Sequence, residues 1–256
     1  MFDLAGLQAA ASLIYRSFPA TPQYAWPLLA ARTDCEVWVK HENFTPTGAF
    51  KVRGGLTYVE TLLRTGSKPR GIISATRGHH GQSLAFAGRS AGLPVTVVVP
   101  HGNSLEKNAA MRVFGAELIE YGRDFDEARI EAQRLASSRG LHMVPSFHAE
   151  LVRGVATYAM ELFQAVANLD ALYLPIGLGS GICGAIQVRD LFGLRTEIIG
   201  VVSDRADAYA RSFEHGKVVT TESADTIADG MACRVPAPDA LEIIRRGQDF
   251  LQLGGS

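Results

Sequence analysis

Cysteine is scarce: Cys35, Cys183 and Cys233 are the three thiols of a 256-residue chain. Their odd number and the absence of metal-ligand spacing argue against a disulfide framework or a zinc site, and free buried thiols in a reducing compartment are expected. Excess charge of either sign is missing as well. Lys plus Arg number 25 and Asp plus Glu 26, so no bulk field recommends nucleic acid or an anionic membrane as partner. No apolar run is long enough to span a bilayer. The first residues, Met1-Phe2-Asp3-Leu4-Ala5, carry an acid and lack the basic region of a secretory signal. The expected setting is therefore the cytoplasm. Neither an internal repeat nor a low-complexity linker divides the chain, and Gly254-Gly255-Ser256 has the composition of a loose tail.

What the sequence does hold is alternation. Apolar residues make up 47% of the chain, ordinary for a globular protein. Helical spacing is read at residues 3–16, 54–63, 82–91, 104–114, 124–138 and 151–167. Short runs rich in Val and Ile are read as strands at 37–40, 71–74, 95–99, 117–121, 171–176 and 198–202. Strands alternating with helices predict an α/β fold with largely parallel sheets covered on both faces.

Three stretches carry chemistry. In the first, a turn at Pro46-Thr47-Gly48 leads to Lys51, set between Phe50 and Val52. Apolar neighbours strip hydration from an amine and favour its neutral form, which is a nucleophile able to form a Schiff base with a carbonyl. The second, Ser74-Ala75-Thr76-Arg77-Gly78-His79-His80-Gly81-Gln82, leaves a strand and enters a helix. Hydroxyls and free backbone amides at a helix start suit a carboxylate. The third, Gly177-Leu178-Gly179-Ser180-Gly181, also opens a helix, and its glycines let successive N–H groups converge on a phosphate. Gly177-Leu178-Gly179 also matches part of a dinucleotide fingerprint, but the acidic residue due about 20 positions later is not cleanly placed, since Glu197 precedes the next strand. Glu42 and Arg53 read as an ion pair tying the lysine loop. Asp207 reads as a helix cap, and Asp229 with Gly230 as loop architecture.

Taken together, the three stretches resemble the fold type II pyridoxal-phosphate enzymes, the threonine/serine dehydratase (ammonia-lyase) and serine racemase group. Lys40-His41-Glu42 and Pro46-Thr47-Gly48-Ala49-Phe50-Lys51-Val52-Arg53-Gly54 match its lysine motif, with Ala49 in place of a serine. Thr226-Ile227-Ala228-Asp229-Gly230 is similar to its Thr-x-Ala-Asp-Gly segment. The resemblance runs from about Thr21 to about Arg246.

That resemblance implies a two-domain, tryptophan synthase β-like fold of three-layer αβα sheets. A discontinuous large domain would take residues 1–60 and 141–256, and a small domain 61–140. Lys51 would carry pyridoxal 5'-phosphate and move the Cα proton. Phe50 and His79 would flank the cofactor ring, and Gly177, Leu178, Gly179, Ser180 and Gly181 would hold its phosphate. Ser74, Thr76, Arg77, Gly78, His80 and Gly230 would surround a small amino-acid substrate. The implied activity is deamination of L-threonine, L-serine or a related β-hydroxy amino acid by β-elimination. A β-replacing synthase and an amino-acid racemase on the same scaffold are the alternatives, as is a shortened, catalytically impaired cofactor-binding paralogue. The group also allows a homodimer, for which no stretch marks an interface.

Four departures stand out against the pattern. His79 replaces the asparagine that contacts the ring oxygen. Arg77 stands where racemase relatives carry a second-face serine, and a guanidinium that holds its proton is a poor base, which argues against racemisation. Val202 and Ala208 replace the metal carboxylates of racemase-like members, so no metal is expected there. Relatives also continue past Arg246 with a motif whose hydroxyl faces the pyridine nitrogen, and no residue here is assigned that role.

Overall fold

A computed structural model of the chain describes residues 1–66, 69–247 and 250–254, the last segment by its backbone. Of the turn read at Gly66-Ser67-Lys68-Pro69-Arg70, Ser67 and Lys68 lie outside the described residues, as do Gly255 and Ser256 of the expected tail.

Two parallel sheets position the site. The first has four strands, in the order Glu117–Glu120, Val95–Val99, Ile72–Ala75, His142–Met143. Its side chains alternate as the pleat requires. Ile72, Val95, Val97 and Val99 join a core with Leu84 of the helix His79–Ser90 and Met111 of the helix Leu105–Val113. Ile73, Ala75 and Val98 face Ala128, Ala132 and Leu135 of the helix Phe125–Arg139 on the other side. This is the helix–sheet–helix layering expected from the near-continuous apolar strands. The strand His142–Met143 extends the sheet past residue 140.

The second sheet pairs Ala171–Pro175, Glu197–Ser203 and Phe250–Gly254, all parallel. The helix Ser180–Leu191 makes the crossover between the first two strands and buries Ile182, Cys183, Ala185, Ile186 and Val188 in the largest core. Gly254 pairs with Ser203, so the tail expected from composition is, at this residue, the end of a strand. Composition alone misread it because a lone glycine at a strand end looks like linker. A short antiparallel pair, Gln23–Ala25 with Trp38–Lys40, precedes the lysine loop.

The helix read over 151–167 is two helices, Ala149–Val155 and Thr157–Ala165. The interruption falls where neighbours approach closely. A Cβ on Gly154 would lie 2.2 Å from Thr57 Oγ1, and one on Gly184 would lie 3.0 Å from Ala156 Cα. Asp207 stands before the helix Ala208–His215 without capping it, because its carboxylate accepts from Arg211 Nε at 2.8 Å instead. Cys183 and Cys233 are buried as expected, whereas Cys35 is exposed. Among the described residues no helix is long and apolar enough to cross a membrane.

Candidate functional site

The lysine loop is built by a turn that satisfies its own backbone. Gly48 takes φ +66°, a left-handed conformation that favours glycine. Gly48 N donates to the Thr45 carbonyl at 2.9 Å. Thr45 Oγ1 donates to Ala49 O at 2.8 Å and accepts from Ala49 N at 2.9 Å. The helix that follows begins at Lys51 itself and runs to Arg64, three residues earlier than the apolar spacing indicates. Lys51 is thus in a first helical turn, and Ser83 Oγ donates to its carbonyl at 2.6 Å.

Two residues along, Arg53 anchors the loop from beneath. Its guanidinium is fully buried. Nε and Nη2 donate to Glu42 at 2.7 and 2.9 Å, and Nη1 and Nη2 to Glu161 at 2.6 and 2.9 Å. Lys40 Nζ reaches Glu161 at 2.6 Å. Burial pushes the Glu161 carboxyl upward, but the Arg53 and Lys40 hydrogen bonds outweigh it and hold the group below its usual value. The Glu42–Arg53 pair is legible in the sequence. Glu161 is the member sequence reasoning missed, and its signal was the lone acid of a largely apolar helix, Thr157–Ala165.

The second and third stretches sit just past the carboxyl ends of Ile72–Ala75 and Ala171–Pro175, where open α/β sheets receive ligands. The helix His79–Ser90 begins three residues earlier than read, so His79 and His80 form its first turn. Their backbone N–H groups have no acceptor among the described residues. The same holds for the N–H groups of Gly179, Ser180, Gly181 and Ile182 at the other helix start. Gly179 takes φ +99°, and Tyr209 Oη fixes the loop by donating to Leu178 O at 2.9 Å. A Cβ on Gly181 would lie 3.6 Å from Phe50 Cζ, so the glycine loop and the lysine loop adjoin.

A cavity of about 220 Å³ joins these parts. Lys51, Thr76, Arg77, Gly78, His79, His80, Gly177, Leu178 and Gly230 all line it. Ser74, Phe50, Gly179, Ser180 and Gly181 are not in its wall, and the Ser74 hydroxyl donates to Val144 O at 2.9 Å inside the sheet. Surrounding protein lowers the Lys51 pKa by desolvation, only partly opposed by Cys233. Burial, then the nearby Lys51 charge, pushes His80 down to about 3. Its Nε2 is buried without a hydrogen-bond partner among the described residues. His79 is also lowered, first by burial and then by Lys107 and Lys51.

Sequence reasoning missed several wall residues. Cys233 lies beside Lys51, its thiol pushed up to about 11 by burial. Lys107 and Asp124 come from the four-stranded unit and form ion pairs across the mouth with Asp229 and Arg234 respectively. No local motif marks these residues, because long-range folding brings them to the cavity.

A desolvated amine shares its cavity with a helix start whose N–H groups are free, and a second such start adjoins through Phe50 and Gly181, an arrangement suited to a protein that holds a carbonyl group beside small anions. The comparisons agree. The family model described as "Pyridoxal-phosphate dependent enzyme" matches residues 15–253, and the chain belongs to that family. The L-threo-3-hydroxyaspartate ammonia-lyase of Saccharomyces cerevisiae is 30% identical over 230 residues, covering 90% of this chain and 70% of the yeast protein. The biosynthetic L-threonine dehydratase of Haemophilus influenzae is 30% identical over 243 residues, 94% of this chain and 47% of its own length. The chain thus spans about half of that dehydratase. The processed form of threonine deaminase isoform 2 from Solanum lycopersicum superposes with a TM-score of 0.87 at 26% identity, over 99% of this chain and 76% of the tomato chain. The fold is therefore the parallel α/β fold of these enzymes, and membership assigns pyridoxal phosphate as cofactor.

The residues present fit that group. Its aldehyde would meet the Lys51 amine, whose pKa desolvation lowers toward the neutral form that such a bond needs. Its phosphate needs converging N–H donors, which the start of the helix Ser180–Leu191 leaves free. The orphaned Nε2 of His80 marks a wall that still seeks a polar partner.

Proposed function

We propose that this chain deaminates a β-hydroxy amino acid, L-threonine, L-serine or a relative, by β-elimination to a 2-oxo acid and ammonia. The observation that carries the reading is the Lys51 amine, desolvated in a cavity lined by the helix start at His79 and by Gly177 and Leu178 of the glycine loop. The relatives described above act, by their names, on L-threonine and L-threo-3-hydroxyaspartate, and both of these are β-hydroxy amino acids. Bound, the cofactor supplies an aldehyde for the substrate amine and an electron sink for the charge left when the Cα proton departs.

In this reading Lys51 Nζ accepts that proton, the task for which an uncharged amine is suited. The N–H groups of Gly179, Ser180 and Gly181, with Gly177 and Leu178 shaping the approach, hold the phosphate. Phe50, packed on Gly181, keeps the two loops in register beside the ring. His79, its pKa lowered first by burial, donates a hydrogen bond to the ring oxygen, as asparagine does in the related pattern. Thr76, Gly78 and the N–H groups of His79 and His80 receive the substrate carboxylate, with Ser74 bracing the loop from the strand and Gly230 closing the opposite wall. A cytoplasmic setting and a homodimer complete the reading, and light scattering on the purified chain reports the assembly.

The test is a panel of serine, threonine and other β-hydroxy amino acids, with ammonia and 2-oxo acid quantified against D-amino acid. Matched release of oxo acid and ammonia is expected. A cofactor absorbance band without ammonia release would overturn the reading in favour of an impaired paralogue.

A second expectation concerns the glycine loop. A Cβ on Gly177 would lie 2.2 Å from the Gly230 carbonyl oxygen, a backbone atom with little room to yield. Gly177→Ala should therefore cost about 1–3 kcal/mol, the usual penalty of overpacking. It should also weaken cofactor retention, measured by spectroscopic titration beside a thermal melt.

A further inference from the structure

We propose that Arg77 selects a substrate carrying a second carboxylate, an amino acid with both a β-hydroxyl and an acidic side chain. The inference rests on the deamination reading and adds to it the substrate class.

The charges around the cavity motivate it. Three acids line the wall, and each has a cation: Asp229 holds Lys107, Asp124 lies 3.6 Å from Arg234, and Asp126 lies 3.8 Å from Arg129. Among the cations of the wall, Lys107 and Arg234 are thereby matched, and Lys51 is the amine of the chemistry. Arg77, exposed at the wall, has neither an ion pair nor a hydrogen bond among the described residues, and the reaction as derived above does not use its charge. It also stands next to Thr76 in the loop that receives the substrate.

The two anions already required by the reaction do not need it. The helix start at His79 offers free N–H groups for the substrate's α-carboxylate, and the helix start at Ser180 offers them for the cofactor's phosphate. Arg77 is exposed at the cavity wall, so its guanidinium is free to meet a further anion that enters with the substrate. A guanidinium presents two parallel N–H donors to the two oxygens of a planar carboxylate, and its single charge balances a single negative group. The β-substituent of the substrate is the part that varies among β-hydroxy amino acids, so Arg77 reads that position.

The reaction stays balanced with such a substrate. The Cα–H bond breaks with its proton passing to Lys51 Nζ, and the Cβ–O bond breaks with the hydroxyl leaving as water. The enamine so formed becomes an imine and takes up one water. Ammonia and a 2-oxo dicarboxylic acid are released with no oxidant or reductant.

The experiment compares holoenzyme with its Arg77→Gln and Arg77→Lys variants in two ways. The first is kcat/KM for L-threo-3-hydroxyaspartate against L-threonine and L-serine. The second, independent of turnover, is calorimetric binding of succinate against butyrate. A charge-assisted contact predicts an acidic-over-neutral preference of about tenfold or more in each measurement. That preference should collapse in Arg77→Gln and return in part in Arg77→Lys. Equal losses on acidic and neutral substrates would assign Arg77 to the shared α-carboxylate and overturn the inference, as would a wild-type chain indifferent to the second carboxylate. If the wild type turns over none of the three amino acids, the deamination reading fails. The succinate-to-butyrate comparison then decides the role of Arg77 by itself.

Discussion

Replacing Lys51 by alanine is expected to erase both the Schiff-base absorbance band of protein-bound pyridoxal phosphate and its covalent trapping by borohydride. Turnover should fall with it, by about 10²–10⁴-fold from the lost proton transfer alone. The expectation follows from the isolation of the amine. Lys51 is the lysine whose pKa is lowered by desolvation at the cavity, and the other lysine of the wall, Lys107, is committed to Asp229. No lysine besides these two lines the cavity among the described residues. The glycine loop proposed to hold the phosphate is separate from Lys51, so the variant should still take up the cofactor reversibly, with equilibrium dialysis showing binding that borohydride does not fix. A borohydride-stable adduct in Lys51→Ala would place the anchor elsewhere.

The largest effect on stability is expected at Glu161, which touches neither cofactor nor substrate. Glu161→Ala leaves Lys40 and half of the Arg53 fork without their acid in a fully buried setting. Breaking one partner of a buried pair costs about 3–5 kcal/mol, a large share of the roughly 5–15 kcal/mol that holds a typical domain together. The exposed pair Arg246–Glu242, one helical turn apart, gives the contrast. Removing Glu242 should cost less than about 1 kcal/mol, because solvent already screens it. Urea unfolding of the two variants measures the difference directly. The pH dependence has a definite sign. The folded-state pKa of Glu161 is depressed, so its contribution is present above the ordinary carboxylate range and is lost as pH falls through the folded value. Wild type and Glu161→Ala should therefore converge in stability under strong acid.

Much of this was legible in the residues. Val95-Thr96-Val97-Val98-Val99 could scarcely be anything other than a buried parallel strand, and it is one. The lysine turn declared itself through Pro46-Thr47-Gly48, since Gly48 needs the left-handed conformation that the motif provides. Helix starts were read late, because His79 and Lys51 lack the apolar spacing by which helices are recognised, although both lie in first turns. What stayed hidden was long-range. Glu161 meets Arg53 across 108 positions, and Lys107 meets Asp229 across 122. Cys233 gave no sign of its neighbour Lys51, because a single thiol has no periodicity to betray it.

Two helices, Lys51–Arg64 and His79–Ser90, begin at the cavity, and Ser180–Leu191 begins just beyond Gly177 and Leu178 of its wall, each with the positive end of its peptide dipoles at that start. A small anion bound near these helix starts would be stabilised by their dipoles. Any such anion that binds the folded form alone adds RT ln(1 + [L]/Kd) to its stability. Folding and loading are thus coupled equilibria in this molecule. The phosphate content of the surrounding solution becomes a determinant of how much of the chain is folded before any amino acid arrives.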